Sequence, residues 1–253
     1  VPNKYSRIAI ISGASSGIGA ATARRLVASG FAVVGNARRF EKLRELELEL
    51  GTSFCAVPGD ASESAVLEQL FVTAIERFGQ PADIVVVNAG RGLGGSVKDA
   101  DLAQFEEMLK LNVTGTLILL QQAAKRMVDG QSSSFPKRAA DIVIIGSVVG
   151  RHISPFSAAY GATKFAVHAL AESLRREIGP KGVRVSLVEP GIVVSGFQGA
   201  AGYEASMVQH FDEKFGPLLQ GDDVANAIHY IVTQPPHVHI SDIVIRPTRQ
   251  DYP

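Results

Sequence analysis

Seven short stretches of the chain are almost wholly apolar and rich in β-branched side chains: residues 7–12 (RIAIIS), 31–36 (FAVVGN), 53–57 (SFCAV), 83–88 (DIVVVN), 141–147 (DIVIIGS), 183–190 (VRVSLVEP) and 242–246 (DIVIR). Strands with one wet face alternate apolar and polar residues. Most of these do not, so they predict strands covered on both faces, as in a parallel sheet between helical layers. The segments between them predict helices over 17–29, 39–50, 62–78, 101–128, 157–179 and 221–233. The hexapeptide ELELEL at 45–50 alternates like a strand, yet Leu43, Leu46 and Leu50 fall at helical spacing and Gly51 offers a stop, which predicts helix. Strand and helix alternate along the whole chain without linker or repeat. The expected class is therefore α/β: one doubly wound domain over residues 1–253, with right-handed crossovers and a seven-stranded, mostly parallel sheet flanked by helices.

Two segments stand outside this alternation. Residues 129–140 (DGQSSSFPKRAA) are polar and turn-rich and predict a surface loop. Residues 191–217 follow a strand, carry several glycines and mix in Phe197, Tyr203, Met207, Phe211 and Phe215. A long segment at the carboxyl end of a sheet strand predicts a lid over a ligand.

The 253 residues suffice for a large core, and 25 basic residues balance 25 acidic ones. A neutral chain offers no field to hold nucleic acid or an anionic membrane, so neither partner is expected. No apolar run approaches the roughly 18 residues that cross a bilayer. The first residues lack a signal-peptide layout, and the single cysteine, Cys55, permits no intrachain disulfide. Both features predict a cytoplasmic protein in a reducing compartment. Cys55 itself reads as a strand residue rather than a nucleophile.

The first strand runs into SGASSGIGAATARRL (12–26), where Gly13, Gly17 and Gly19 punctuate a strand-to-helix turn with Ser15, Ser16 and Ile18 between them. Glycines there let backbone approach a diphosphate, and the helix N-terminus supplies free N–H groups and a positive dipole end. The spacing, G-x3-G-x-G, is wider at the front than G-x-G-x-x-G. At the end of the second strand an acidic residue would bind the ribose hydroxyl of NAD; Ala37, Arg38 and Arg39 stand there instead. Two guanidiniums suit the additional phosphate of NADP, and Ser15 can add a hydroxyl.

The stretches GASSGIG (13–19), GDAS (59–62), NAG (88–90), LNVTG (111–115), IIGSVVG (144–150), YGATK (160–164) and EPGIVVS (189–195) together resemble the short-chain dehydrogenase/reductase family, in the family's order and over essentially the whole chain. The resemblance implies a Rossmann-type fold and an NADP(H)-dependent oxidoreductase. It implies that Tyr160 is the catalytic acid/base, with Lys164, Ser147 and Asn112 as its partners. Asp60 and Ala61 would lie at the adenine. Asn88, Ala89 and Gly90 would line the cofactor, and Pro190, Gly191, Val193 and Ser195 would surround the nicotinamide. Departures are mild. Ser12 stands where the family often has Thr, Val87 where a second Asn is common, and Ser195 where Thr is frequent.

Elementary chemistry agrees with these roles. A free tyrosine has a pKa near ~10, too high to lose a proton readily at neutral pH. Lys164, four residues after Tyr160 on one helix face, provides an ammonium that favours the phenolate, as does a cationic nicotinamide. In reduction Tyr160 would donate a proton to the carbonyl oxygen while Ser147 holds that oxygen. By resemblance alone, Asn112 would hold a water linking Lys164 to solvent.

His237 and His239 could form a metal pair, but no third ligand lies near in sequence, so no metal is expected. His152 and Ser154 lie just past Ser147 and could line a substrate pocket or a surface loop. The tail DIVIRPTRQDYP (242–253) resembles that of a subgroup oxidising 3-hydroxy acids such as serine with NADP, and also that of broader carbonyl reductases. A carboxylate substrate would want an arginine, for which Arg91, Arg151 and Arg249 are unranked candidates. The resemblance further implies a homotetramer built on the two long helices 101–128 and 157–179. A non-catalytic dinucleotide sensor on the same fold is the rival reading, and the set Asn112, Ser147, Tyr160 and Lys164 argues against it.

Overall fold

The computed structural model describes residues 4–131, 133–154, 156–194 and 205–252. Seven strands form one sheet: β1 (Ile8–Ser12), β2 (Ala32–Ala37), β3 (Phe54–Pro58), β4 (Ile84–Val87), β5 (Ala140–Ile145), β6 (Val183–Pro190) and β7 (Asp242–Ile245). Their order is β3-β2-β1-β4-β5-β6-β7, and every neighbouring pair is parallel. The sequence predicts a mostly parallel sheet; the fold is parallel throughout. The helices are α1 (Gly17–Ala28), α2 (Phe40–Leu50), α3 (Ser64–Phe78), α4 (Leu102–Leu109), α5 (Thr116–Gln131), α6 (Ala158–Ile178), α7 (Ala205–Phe215) and α8 (Gly221–Val232).

The unbroken apolar runs follow from two cores, one on each face. Ile8 and Ile10 of β1, Val85 and Val87 of β4, and Ile142 and Ile144 of β5 pack with α3, α5 and α6. Their neighbours Ala9 and Ile11, Ile84 and Val86, and Val143 and Ile145 pack with α1, α2 and α8. Successive residues of a strand point to opposite faces, so in a sheet covered twice most positions are apolar and each buried polar one, such as Asn36 or Glu189, needs a partner. Each fully buried Ile or Val contributes roughly 1.5–3 kcal/mol, and a carboxylate in place of Ile10 would be buried without a partner. Asp141, second in β5, lies at the opposite edge from the site, where Arg7 (2.8 Å) and Arg184 (2.7 and 2.9 Å) neutralise it.

The stretch 45–50 is helical, with Leu43 and Leu46 buried and Leu48 exposed. The helix predicted over 101–128 is different. A π-helical turn, Lys110–Gly115, divides it into α4 and α5. The helix here presses on the loop after β3, where a Cβ on Gly115 would lie 2.6 Å from the Ala61 carbonyl. The wider turn also directs Asn112 inward, where it is buried. At the other end α5 runs on to Gln131, whose buried amide donates to the main-chain carbonyls of Arg138 and Gly182, shortening the predicted loop. Strand order reverses between β1 and β4, where chains leave the sheet in opposite directions and open a crevice at the carboxyl edge.

Candidate active site

The floor of that crevice is the turn between β1 and α1. Gly13 has φ +71°, and a Cβ there would meet Ala89 Cα at 2.9 Å. Gly19 packs on the Gly13 carbonyl, 2.3 Å from where its Cβ would sit. The segment after β4 clamps this turn from the side. Ser12 Oγ accepts the N–H groups of Asn88 and Ala89, both at 3.0 Å, and the Asn88 amide donates to the carbonyls of Ser12 and Gly13. Asn88 thus holds the glycine turn in shape. Ser16 is the N-cap of α1 but makes no side-chain cap, so the first-turn N–H groups stay available to an anion.

Beside this turn the end of β2 brings up the two arginines. Arg39 donates to the hydroxyls of Ser15 (3.1 Å) and Ser16 (2.5 Å). Arg38 faces Asp60. Burial would raise the Asp60 carboxyl, but the Ser62 N–H and hydroxyl, then Arg38 and Lys110, hold it below the usual carboxylate range. Asn36, buried at the end of β2, ties that strand to the carbonyls of Val57 and Gly59 and shapes the same wall.

The chemical end is built on β5 and α6. Ser147 lies just past β5 in extended backbone and caps a short turn, its Oγ accepting the Val149 N–H at 3.3 Å. Its hydroxyl hydrogen can therefore point into the crevice. Tyr160 and Lys164 are one turn apart on α6, both buried. The Lys164 ammonium lies 5.7 Å from the Tyr160 ring centroid and donates to the Ile145 carbonyl at 2.7 Å. Burial pulls Lys164 down to about 8.

These groups surround a cavity of about 840 Å³. The structure brings to its wall Gly13, Ser15, Ser16, Gly17, Ile18, Arg38, Arg39, Asp60, Ala61, Asn88, Ala89, Gly90, Ser147, Tyr160, Lys164, Pro190, Gly191 and Val193. Gly19 and Asn112 stand behind the wall. The Asn112 amide nitrogen donates to the Arg91 carbonyl (2.8 Å) and the Thr163 hydroxyl (3.1 Å), while Oδ1 accepts the Arg91 N–H (2.9 Å). Its side-chain hydrogens are spent on the loop after β4 and on Thr163 of α6, which leaves only acceptor capacity for the expected water. Ser195 lies outside the described residues, as do Phe197 and Tyr203.

Other lining residues come from the 191–217 segment singled out in the sequence and from places the sequence did not connect with the site. His210, Phe211, Lys214 and Phe215 of α7 face the cavity, as do Phe156 and Tyr252. Gln250 braces the turn after β6: its Oε1 accepts the Ile192 N–H at 3.0 Å and would lie 2.3 Å from a Cβ on Gly191. Of the two residues past Ser147, Ser154 lines the cavity and His152 does not. Of the three candidate arginines only Arg91 reaches the cavity wall, and all three guanidiniums are engaged by protein partners. Arg91 pairs with Glu107 and Gln104, Arg151 forks Glu189, and Arg249 donates to the carbonyls of Gly216 and Glu213. Within 191–217 the sequence singled out Phe211 and Phe215, while nothing in it marked His210, Lys214 or Gln250 as cavity residues.

Two features fall away from the chemistry. His239 uses Nε2 on the main chain of Val185. Cys55 sits half-buried in β3, where burial pushes its thiol up and leaves it unactivated. Among the described residues no helix is long and apolar enough to cross a membrane.

The chain matches the family model described as short chain dehydrogenase over residues 7–204. An uncharacterized oxidoreductase of Staphylococcus epidermidis is 32% identical over 241 residues, covering 95% of this chain and 97% of its own. Another from Staphylococcus aureus is 34% identical over 242 residues with the same coverage. Among solved structures, the closed form of a serine dehydrogenase complexed with NADP+ superposes with a TM-score of 0.88 at 28% identity, covering 97% of this chain and 96% of that one. An alcohol dehydrogenase of Thermococcus sibiricus complexed with 5-hydroxy-NADP gives a TM-score of 0.81 at 26% identity, covering 98% and 99%. With its parallel sheet, glycine turn and Ser147, Tyr160 and Lys164 around one crevice, this chain belongs to the short-chain dehydrogenase family of oxidoreductases.

Proposed function

We propose that the protein is an NADP(H)-dependent dehydrogenase/reductase acting on a small 3-hydroxy acid or the matching oxo acid. One observation carries the reaction type: Tyr160 and a buried Lys164 share the cavity-facing side of α6, with Ser147 on the same wall. The nicotinamide cofactor, when bound, supplies or accepts the hydride. The uncapped first turn of α1 and the glycine turn fit its diphosphate, and Asp60 fits its adenosine end. Arg38 and Arg39, where an acidic residue would serve NAD, support NADP. In the reductive direction the Ser147 hydroxyl donates to the substrate oxygen and Tyr160 delivers the proton to it. The Lys164 ammonium stabilises the phenolate that remains.

The acid substrate is supported by likeness to a serine dehydrogenase and by Lys214, a lid-helix cation facing the cavity. Aromatic lining by Phe156 and Phe211 favours a second reading, a broad aldehyde and ketone reductase. We place the whole chain in a single domain with 191–217 as substrate lid, in the cytoplasm. A homotetramer would cover the half-exposed Leu109, Leu117 and Phe165 on the α4–α5 and α6 helices.

Absorbance-monitored turnover tests the proposal. The panel holds L- and D-serine, 3-hydroxybutyrate, 3-hydroxypropionate and simple secondary alcohols with NADP+ or NAD+, and the matching carbonyls with NADPH. Turnover of the hydroxy acids with NADP+ is expected. Turnover of uncharged carbonyls alone would establish the broader reductase, and NADPH binding with no turnover on any member would favour the sensor.

A further inference from the structure

At the end of β5 the main-chain ladder gives way to a side chain. Gly146 still donates to the Val188 carbonyl at 2.8 Å, but the next N–H, that of Ser147, donates to Nε2 of His168 at 3.3 Å. His168 lies on α6, one turn past Lys164 and two past Tyr160. Its ring fills the space over two glycines, since a Cβ on either Gly146 or Gly150 would lie 2.4 Å from Nε2. A nitrogen that accepts carries no hydrogen, so the ring proton belongs on Nδ1. Nδ1 faces Glu189 Oε2 at 3.8 Å. Glu189, fully buried near the end of β6, is gripped by the Arg151 guanidinium at 2.5 and 2.9 Å.

We propose that His168 is a positioning residue for Ser147: by accepting the Ser147 N–H, and braced through Glu189 and Arg151, it sets the serine hydroxyl against the helix that carries Tyr160 and Lys164. This rests on the reading of Ser147 as the group that holds the substrate oxygen. The surroundings keep the ring in its accepting form. Burial pushes His168 below the ordinary histidine range; Lys164 and Arg151 act the same way, and Glu189 and Asp242 oppose them. Protonation at Nε2 would set one N–H donor against another, so acid should loosen Ser147 before it unfolds the sheet.

The test compares S147A, H168M and H168Q with the unaltered protein, in steady-state reduction of the best carbonyl of the panel with NADPH. NMR of ¹⁵N-labelled protein reads the His168 tautomer and the Ser147 amide without turnover. H168M should lower kcat about ten- to a hundredfold while KM for NADPH stays within about twofold, because a group near the reacting atoms is displaced without touching the cofactor. Gln Oε1 can accept the same N–H, so H168Q should recover most of kcat and flatten the acid-side fall of the kcat profile. His168 should show hydrogen on Nδ1, and the Ser147 amide signal should move in H168M but return towards its place in H168Q. Wild-type kcat in H168M, an H168Q as slow as H168M, or hydrogen on Nε2 would each overturn the proposal. Full activity in S147A would instead overturn the role of Ser147, and the tautomer would still report on the His168 contact. If H168M does not fold, H168Q and the tautomer decide.

Discussion

The Lys164 ammonium donates to the main-chain carbonyl of Ile145 at 2.7 Å, at the end of the strand that leads to Ser147. Burial brings the amine down to about 8. It remains charged at neutral pH, and keeping it so costs on the order of 3 kcal/mol of folding free energy. The sign follows from the direction. The fold prefers the neutral amine, so the penalty is absent above the unfolded value of 10.5, grows as pH falls towards 8 and is constant below. Lys164→Met should therefore stabilise the cofactor-free protein at pH 7 by about 2 kcal/mol, the lost bond to Ile145 returning roughly 1 kcal/mol of the gain. The gain should shrink towards pH 10, and turnover should vanish. Urea unfolding at both pH values checks this; a less stable variant at pH 7 would contradict it.

Tyr160→Phe removes one oxygen and little else, since the ring stays packed on Leu93 and Met108. Turnover should fall about a hundred- to ten-thousandfold while NADPH still binds. Fluorescence titration with NADPH alongside kinetics separates the two effects. Undiminished turnover would remove Tyr160 from the chemistry.

At the other end of the crevice, Arg38→Ala and Arg39→Ala should discriminate between the two nicotinamide cofactors. Each guanidinium that binds the ribose phosphate should contribute about 1.5–3 kcal/mol, roughly ten- to a hundredfold in Kd for NADPH, with little change for NADH. Arg39 also bridges the two serines of the glycine turn. Its loss should therefore weaken NADH slightly too, a difference calorimetry can resolve. Equal losses for both cofactors would sink the phosphate assignment.

Lys214→Ala probes the substrate side. A lysine at the cavity rim that pairs with a substrate carboxylate should raise KM for hydroxy acids about three- to tenfold, in keeping with a partly exposed ion pair. KM for uncharged alcohols should be unmoved. A uniform rise across both classes would mean that Lys214 shapes α7 rather than reading charge.

Much of this molecule was legible along the chain, for reasons local to each stretch. A doubly covered strand needs consecutive apolar residues, and two side chains one turn apart on a helix need a spacing of four, so β1, β4, β5 and the closeness of Tyr160 to Lys164 announce themselves. What stayed hidden depends on meetings between distant residues. The break at Lys110–Gly115 arises because Gly115 meets Ala61, which periodicity cannot register. Arg91, Arg151 and Arg249 could not be ranked because their partners lie elsewhere in the chain, Glu189 being 38 residues from Arg151. Lys214 and Gln250 reach the cavity from segments the sequence singled out, but nothing in the spacing marks which of their side chains turn inward. His168 reads as one more helix residue until Ser147 is seen to need an acceptor.

Tyr160 and Lys164 ride on a single helix, and that arrangement decides which changes the chemistry can tolerate. When α6 slides or tilts as a rigid rod, the phenol and the ammonium move together and their separation survives. The error is common to both and cancels. Under the proposed function, variation in 191–217 or in the packing around α6 can then retune what enters the crevice while the proton transfer keeps its geometry. Such a framework can be taught new substrates one loop at a time.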